Sequence, residues 1–293
     1  MASEVFAPAK INLTLHVTGR REDGYHTLDS LVSFAPVGDL LTISEGDGRS
    51  LRVSGPEAAG VPEDGSNLVV KAVALLGGEA ELQLHKALPA ASGIGGGSAD
   101  AAATLRGVAA RAGGDGSAEA LLATHGEQIL ALGADVPMCL YARPLRAEGI
   151  GDALTPLALP PVAAVLVNPR LQVSTPAVFR ALERRDNTPM PADLPPMSDA
   201  AELIAFLSEM RNDLQAPACA VQPAIHDVLA RITAQPGCKL ARMSGSGATC
   251  FGLFLSEGEA AAAAEAIAVV EPGWWVASGV LGDCSALAAP RGQ

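Results

Sequence analysis

The segment from residue 88 to residue 105 constrains this chain more than any other. It reads LPAASGIGGGSADAAATL, with four glycines within five positions and an alanine-rich run behind them. Glycine has no Cβ, so the backbone at 93–97 can take positive φ and turn several N–H groups toward one anion. We predict Ser98 as the N-cap of the helix that follows, whose N-terminus adds a partial positive charge. The segment therefore predicts a phosphate-binding loop that opens a helix.

Two common phosphate-binding loops do not fit this spacing. A Walker A loop needs a lysine directly after its last glycine, but no lysine or arginine occurs between Lys86 and Arg106. A dinucleotide-binding GxGxxG motif that starts at Gly93 would have Ser98 in place of its third glycine. A flexible glycine-rich linker is a third alternative, but the strand-like ELQLH at 81–85 precedes the loop and a helix-forming run follows it.

Composition restricts the partners of the chain. The formal net charge is −12 over 293 residues, which argues against nucleic acid, because binding to a phosphate backbone needs clustered lysine and arginine. Phosphates would instead be bound by backbone amides, a lysine and a bridging cation. The five cysteines form no CxxC pair, which predicts reduced thiols and a cytoplasmic protein. No basic leader and no long apolar run occur, so we expect neither export nor a membrane anchor.

Hydrophobic periodicity in the first half predicts both strands and helices. Residues 9–18 alternate between apolar and polar side chains, which is typical of a half-buried strand with a polar face. LDSLVSFAPV and DLLTISE predict two further strands joined by a Pro-Val-Gly-Asp turn. NLVVKAVALLGG predicts a helix that begins at Asn67. The helix after the glycine loop is expected to end near Ala112, and another helix to cover about 117–132.

The second half again mixes the two kinds of element. PPVAAVLVNP predicts a strand, 188–197 a proline-rich surface loop, and KLARMSGSGATCFGLFL two strands around a turn of small residues. An alanine-rich helix and the strand GWWVASGV follow. Strands and helices without strict alternation predict an α+β fold. We place a boundary near residue 152, which divides the chain into domains 1–152 and 153–293.

Four segments together resemble the GHMP kinase superfamily, in the same order and over nearly the whole chain. They are PAKINLTLHVTGRREDGYHTLDSLV at 8–32, LPAASGIGGGSADAAATL at 88–105, GADVPMCL at 133–140 and MSGSGATCFGLF at 243–254. One of them alone would be weak support, whereas four in sequence order are specific. The PAKINL start, the DGYH turn and the GADVP segment narrow the resemblance to members that phosphorylate a cytidine diphosphate sugar alcohol.

The resemblance implies a two-domain fold with its active site in the cleft between the domains. The N-terminal, ATP-binding half would resemble domain 2 of ribosomal protein S5, and the C-terminal half would be ferredoxin-like. The implied reaction is phosphorylation of the sugar alcohol's 2-hydroxyl by ATP with Mg²⁺, in the non-mevalonate route to isoprenoids. The expected partners are therefore these small molecules, with no nucleic acid and no membrane, and the chain would act as a monomer or a homodimer.

Phosphoryl transfer asks a protein mainly to position the reactants and to neutralise charge. Asp135 matches the family's catalytic aspartate, which accepts the proton of the acceptor hydroxyl. Lys10 matches its partner lysine, which keeps the carboxylate ionised and lends positive charge to the transferred group. Taken singly, Lys10 could be a solvated strand residue and Asp135 a turn or helix-cap residue. Together with the other motifs, both are expected to be catalytic, and no protein ligand of Mg²⁺ is predicted.

The resemblance also assigns residues around the two substrates. Contacts with ATP are expected from Asn67, Leu68, Pro89, Ala90, Ala91, Ser92, Gly93, Ile94, Gly95, Gly96, Gly97, Ser98 and Ala99. Ser246 and Gly247 would close over the phosphates, although a hairpin turn explains these two residues nearly as well.

On the acceptor side, Tyr25 would stack on the cytosine and His26 would hydrogen-bond its edge, although both also suit a plain surface turn. Asn12 would contact the sugar alcohol or support Asp135. Thr175 and Phe179 are expected near the cytidine.

Some positions depart from the family pattern. Ala90, Ala91 and Ser92 stand where methionine, glycine and a small residue are usual, which predicts a stiffer entry to the loop. Ala99 replaces a common serine, so no hydroxyl contact with phosphate or Mg²⁺ can be made there. Two alternatives remain: a homoserine or mevalonate type of kinase, which should lack the DGYH turn, and a non-catalytic ligand-binding protein on the same fold.

Overall fold

The structure is a computed structural model that describes residues 2–292. Within this range the strands are β1 (Ser3–Asn12), β2 (His16–Arg20), β3 (His26–Ser44), β4 (Arg49–Ser54), β5 (Ala80–His85), β6 (Leu145–Gly149), β7 (Ala153–Pro156), β8 (Val162–Asn168), β9 (Leu240–Met243), β10 (Cys250–Phe254), β11 (Trp275–Leu281) and β12 (Arg291–Gly292). The helices are α1 (Leu68–Leu75), α2 (Gly96–Arg111), α3 (Ala118–Leu132), α4 (Val136–Tyr141), α5 (Thr175–Ala181), α6 (Ala200–Ser208), α7 (Gln215–Val221), α8 (Ala224–Thr233), α9 (Glu257–Val270) and α10 (Ser285–Ala288). The predicted α+β class is confirmed.

The first sheet is built around the long strand β3. Antiparallel to it lie β1, β2, β5 and β6, while β4 joins β5 in parallel, β7 pairs with β6, and β12 pairs with β1. Helices α1 to α4 contribute to the apolar core of this unit, which includes side chains of β1, β3 and β5. The C-terminal end of β1 lies beside the start of α2, since the Lys10 N–H donates to the carbonyl of Ile94, two residues before the helix.

Two strand predictions are wrong. Residues 26–44 form one strand, because the Pro-Val-Gly-Asp segment continues along β1 past a register shift between Pro8 and Ala9. A Cβ at Gly38 would strike the carbonyl oxygen of Ala7, so the two backbones approach too closely there for a side chain. The predicted strand 9–18 is divided between β1 and β2, because the chain bends after Asn12.

The helix predictions agree with the structure better than the strand predictions do. Helix α1 begins where expected, since the side chain of Asn67 accepts a hydrogen bond from the N–H of Val69. The prediction of Ser98 as the N-cap of α2 is wrong, because this helix already begins at Gly96. Its N-cap is Gly95, whose φ of 68° lies in the left-handed region that favours glycine. Ser98 lies in the first turn instead.

The second sheet has the antiparallel order β11-β8-β10-β9. Strand β8 buries both faces, as its continuous apolar sequence predicts. Ala163, Val165 and Val167 join a core that includes helices α7, α8 and α9, whereas Ala164 and Leu166 join a further apolar cluster. That cluster also contains Ile11 of β1 and Leu31 of β3, so the two sheets share part of their core.

The ends of the two units are interleaved. Strand β7 continues the first sheet to Pro156, beyond the predicted boundary at 152, and β12 returns the end of the chain to β1. The proline-rich segment 188–197 lacks regular structure, but it is not wholly at the surface, because Met190 is buried and its N–H donates to Asp29. Among the described residues, no helix combines the length and the apolar character that crossing a membrane requires.

Candidate active site

A cleft of about 930 Å³ opens where the first sheet, α2 and α4 meet α5 and the β9–β10 turn. Its volume is at the upper end of the usual range for small-molecule sites. The structure brings most of the predicted site residues together here: Lys10, Asn12, Tyr25, His26, Leu68, Ala91, Ser92, Gly93, Gly95, Gly96, Gly97, Ser98, Asp135, Thr175, Phe179, Ser246 and Gly247 all line it.

Five residues predicted to contact ATP do not line this cleft: Asn67, Pro89, Ala90, Ile94 and Ala99. The side chain of Asn67 caps α1. Ile94 and Ala99 are buried in apolar clusters, with 0% and 1% of their surface exposed, so their side chains are not available to a nucleotide. The missing hydroxyl at Ala99 therefore leaves no gap in the cleft, because that position packs inward.

Lys10 and Asp135 form an ion pair within the cleft. The Lys10 Nζ atom lies 3.2 Å from Asp135 Oδ2, and the lysine side chain is 5% exposed against 37% for the aspartate. Asp135 occupies the N-cap position of α4, but its side chain makes no capping hydrogen bond. The carboxylate is therefore directed at Lys10 and open to the cleft, which is the arrangement that a proton acceptor beside a cation requires.

Asn12 holds the other side of this lysine. Its Oδ1 accepts a hydrogen bond of 2.6 Å from Lys10 Nζ, and its Nδ2 donates to Ser30 Oγ at 2.8 Å. The polar residues of this segment are thus buried, although the sequence predicted a half-buried strand with a polar face. Burial limits the positions that the ammonium group of Lys10 can reach and increases the strength of its electrostatic interactions.

The glycine loop and the β9–β10 turn pack backbone against backbone. A Cβ at Gly93, where φ is 77°, would lie 2.6 Å from the carbonyl oxygen of Ser244, so no other residue fits. Ser244 Oγ donates to the Gly93 carbonyl at 3.1 Å and accepts from the Asn12 N–H at 3.0 Å. Ser244, which is not among the predicted site residues, therefore joins the loop, the second glycine turn and β1.

A second buried lysine lies beneath the loop. Lys86 Nζ contacts the carboxylates of Asp39 and Asp100, and Asp39 Oδ1 also accepts from the N–H groups of Ala87 and Leu88. A Cβ at Gly96 would lie 3.5 Å from Lys86 Nζ. None of the predicted site residues belongs to this group, although charged residues flanking an apolar strand and an alanine-rich helix are a signal that could have indicated it.

The acceptor side of the cleft contains a stacked pair of rings. His26 and Phe179 have ring centroids 4.7 Å apart at an interplanar angle of 21°, whereas the side chain of Tyr25 is 63% exposed. Burial, together with the charges of Arg20 and Arg185, holds the pKa of His26 below its ordinary value. Its Nε2 atom is buried without a hydrogen-bond partner among residues 2–292.

Residues 67–143 match the family "GHMP kinases N terminal domain", and residues 192–270 match "GHMP kinases C terminal". A 4-diphosphocytidyl-2-C-methyl-D-erythritol kinase from Cereibacter sphaeroides (strain ATCC 17025) is 54% identical over 94% of this chain and 97% of its own length. A kinase of the same name from Paracoccus denitrificans is 55% identical over 93% of this chain and 94% of its own length.

Solved structures give the same result. A crystal structure of a 4-(cytidine 5'-diphospho)-2C-methyl-D-erythritol kinase, 36% identical, superimposes with a TM-score of 0.72 over 95% of this chain and 99% of that one. Homoserine kinase from Cytophaga hutchinsonii shares the fold, with a TM-score of 0.66 at 20% identity. The superposition covers 99% of this chain and 96% of the homoserine kinase chain. The chain therefore belongs to the GHMP kinases and, among them, to the 4-diphosphocytidyl-2-C-methyl-D-erythritol kinase family.

Proposed function

We propose that this chain transfers the γ-phosphoryl group of ATP to the 2-hydroxyl of 4-diphosphocytidyl-2-C-methyl-D-erythritol, a step of the non-mevalonate route to isoprenoids. One observation carries the proposal: the Lys10–Asp135 ion pair faces the same cleft as the glycine loop and the His26–Phe179 stack. The kinases that are more than half identical to this chain carry the name of this substrate, which supports the choice of acceptor.

The loop and α2 supply the binding site for the phosphates of ATP. Helix α2 is 16 residues long, and its N-terminal N–H groups at Gly96, Gly97 and Ser98 are free of helical partners. These groups and the positive end of the helix dipole favour an anion at this point. The adenine would lie toward Leu68, which borders the same cleft.

Asp135 and Lys10 act on the transferred group. The acceptor oxygen forms a bond to the γ-phosphorus as the bond to the departing ADP oxygen breaks, and Asp135 receives the hydroxyl proton. Lys10 offsets the charge that develops on the phosphoryl oxygens. Asn12 keeps the ammonium group in place through its 2.6 Å hydrogen bond.

Mg²⁺ fits the oxygen donors that remain around the phosphate site. Asp135, although paired with Lys10, keeps a carboxylate that is partly exposed to the cleft, and Ser98 offers a hydroxyl, whereas Asp100 is buried against Lys86. Mg²⁺ usually binds through one or two carboxylates together with substrate phosphates, and within residues 2–292 no cluster of three metal-ligating side chains occurs. Bound to ATP at this place, the ion would neutralise phosphate charge.

His26 and Phe179 support the assignment of the cytidine. A cytosine is planar and has hydrogen-bonding edges, which suits a ring face beside an imidazole nitrogen without a partner. Tyr25, exposed at the same end of the cleft, has a ring free to cover the base.

An ATP-consumption assay with the cytidyl substrate, homoserine and mevalonate in parallel tests the proposal. We expect turnover with the cytidyl substrate alone, and Lys10→Ala and Asp135→Asn should each lower it by ~10²-fold or more. Asp193→Asn, at an exposed position outside the cleft, is the matched control and should retain activity. Turnover with homoserine or mevalonate, or near-normal turnover in either cleft variant, would contradict the proposal.

A further inference from the structure

Three arginines line the acceptor side of the cleft without a carboxylate partner among the described residues. These are Arg20, Arg180 and Arg185. Arginines close to them in sequence are paired: Arg21 with Asp23 and Arg184 with Asp186. The three unpaired guanidinium groups are therefore not explained by ion pairs within the protein.

Their charge is unusual for this molecule. The chain carries a net charge of −12, yet the cleft is lined by four cations, Lys10 and the three arginines, and by two carboxylates. Both carboxylates are already occupied, Asp23 by Arg21 and Asp135 by Lys10. The acceptor side of the cleft thus holds uncompensated positive charge in a negatively charged protein, where it can attract and retain an anion.

Other contacts place these arginines around the proposed cytidine site. Arg20 Nε donates to the carbonyl oxygen of Gly24, in the turn that carries Tyr25 and His26. Arg180 directly follows Phe179, whose ring stacks on His26. Arg20 and Arg185 lie close enough to His26 to act on its imidazole. No described hydrogen bond or ion pair joins any of the three to the glycine loop.

We propose that Arg20, Arg180 and Arg185 form a binding site for the diphosphate of the acceptor substrate. This inference rests on the proposed function. The cytosine and the sugar alcohol of that substrate are neutral at pH 7, so the diphosphate is its only charged part. The planar fork of arginine matches two phosphate oxygens at once, which makes it the preferred side chain for such a group.

Calorimetric titration with CDP and, separately, with cytidine tests this site directly. For Arg20→Ala, Arg180→Ala and Arg185→Ala we expect the affinity for CDP to fall by about 10-fold each, with the affinity for cytidine unchanged within about twofold. Arg184→Ala is the matched control, because this neighbouring arginine is exposed, paired with Asp186 and outside the cleft. It should bind CDP as the unmodified chain does.

Steady-state kinetics separates the two phosphate-bearing substrates. The arginine variants should show a higher KM for the cytidyl substrate and an unchanged KM for ATP. Arg185→Lys should recover part of the loss, because it restores the charge but not the fork. Circular dichroism checks that each variant is folded. Three outcomes would each contradict the proposed site. They are an equal loss of affinity for cytidine and for CDP, a rise in the KM for ATP alone, and an unchanged affinity for CDP in all three variants.

This design distinguishes failure of the site from failure of the proposed function. CDP binding is measured without ATP and without turnover. If the unmodified chain binds CDP more tightly than cytidine through these arginines but phosphorylates no cytidyl substrate, the anion site stands and the proposed reaction is wrong. If it phosphorylates the cytidyl substrate while the variants bind CDP normally, the reaction stands and the arginine site is wrong.

Discussion

Lys86 shows how one buried charge can organise the entry to the glycine loop. Burial alone would lower the pKa of this lysine, but Asp100 and Asp39 outweigh it and hold the pKa above its ordinary value. Burial also raises the pKa of Asp100 well above its usual range, against the opposing charge of Lys86. The second oxygen of Asp100 has no hydrogen-bond partner among the described residues, so this carboxyl group depends on Lys86 for its electrostatic stabilisation.

The surroundings of Lys86 and Asp100 predict that substitutions at these two residues lower the free energy of unfolding by different amounts. Lys86→Met should lower the free energy of unfolding by about 3–5 kcal/mol, because it removes the only cation described beside Asp39 and Asp100. Asp100→Asn should cost less, about 1 kcal/mol, since burial already disfavours the charge of Asp100 and Asp39 still pairs with Lys86. Chemical denaturation of both variants measures the difference.

Two outcomes would contradict this account of the buried group. Equal losses in the two variants would show that the charge of Asp100 matters to the buried group as much as the charge of Lys86 does. A near-neutral Lys86→Met would show that the buried carboxylates do not need a cation. Asp193→Asn again serves as a control for removal of a negative charge at the surface.

At the scale of elements, the junction between the loop and α2 depends on Gly95. With φ at 68°, this residue lies in a region that other residues enter at a cost of about 1–2 kcal/mol. A Cβ added here would lie 2.8 Å from Cγ of Lys10. The loop and the proposed catalytic lysine therefore share a contact that only glycine allows, and β1 reinforces it through the Lys10 N–H bond to the Ile94 carbonyl.

Gly95→Ala is accordingly expected to lower both the stability and the turnover of the enzyme. The free energy of unfolding should fall by about 1–2 kcal/mol or more, and turnover should fall because Lys10 is displaced. Gly97→Ala is the control for stability, since its Cβ would meet only Leu68 Cδ1, at 3.9 Å, and alanine favours a helix. Thermal unfolding and the kinase assay check both effects, and equal stability in the two variants would exclude the steric explanation.

The sequence predicted elements whose signals are local. Helix α1 with its Asn67 cap, strand β5, the loop and α2 all follow from periodicity, capping and glycine content. The continuity of β3 could not be predicted in this way, because a Pro-Val-Gly-Asp segment is typical of a turn, and only the register shift opposite Ala9 keeps it within the strand. Whether such a segment forms a turn or continues a strand is decided by its tertiary contacts.

The same distinction holds within the site. Motifs in the sequence predicted Lys10, Asp135 and the loop as site residues. Their roles in catalysis and binding stay predictions until they are measured. Ser244 and the cleft arginines carry no local signal, because what marks each of them is a partner, or the lack of one, far along the chain. Ala91, predicted to stiffen the loop entry, does take a positive φ of 49°, where glycine would be unstrained.

At the scale of the whole molecule, the two halves of the chain are held together by more than an apolar core. His16, on β2 of the first sheet, is almost fully buried and reaches the segments around residues 188 and 211. Its Nε2 accepts from the N–H of Arg211 at 3.4 Å, so the ring proton lies on Nδ1 and is donated to the Thr188 carbonyl at 3.1 Å. Both nitrogens are thus satisfied only while the imidazole is neutral.

This arrangement makes the contact between the halves sensitive to acid. Burial, and after it the charge of Arg211, lowers the pKa of His16 below the ordinary value of 6.5, although Thr188, Asp213 and Asp29 act in the opposite direction. As the pH falls, the unfolded chain therefore takes up this proton before the folded chain does. Its contribution to stability is fully present above about pH 6.5 and is lost as the pH drops below that value.

The free energy of unfolding, measured by chemical denaturation at about pH 7.5 and about pH 5.5, should show this linkage. His16→Gln is expected to be less stable than the unmodified chain at the higher pH but to lose less stability on acidification, because its side chain takes up no proton. His226→Gln, at an exposed position on α8, is the control and should lose as much as the unmodified chain. If His16→Gln and the unmodified chain lose the same amount of stability, protonation of His16 does not weaken the contact between the two halves of the chain.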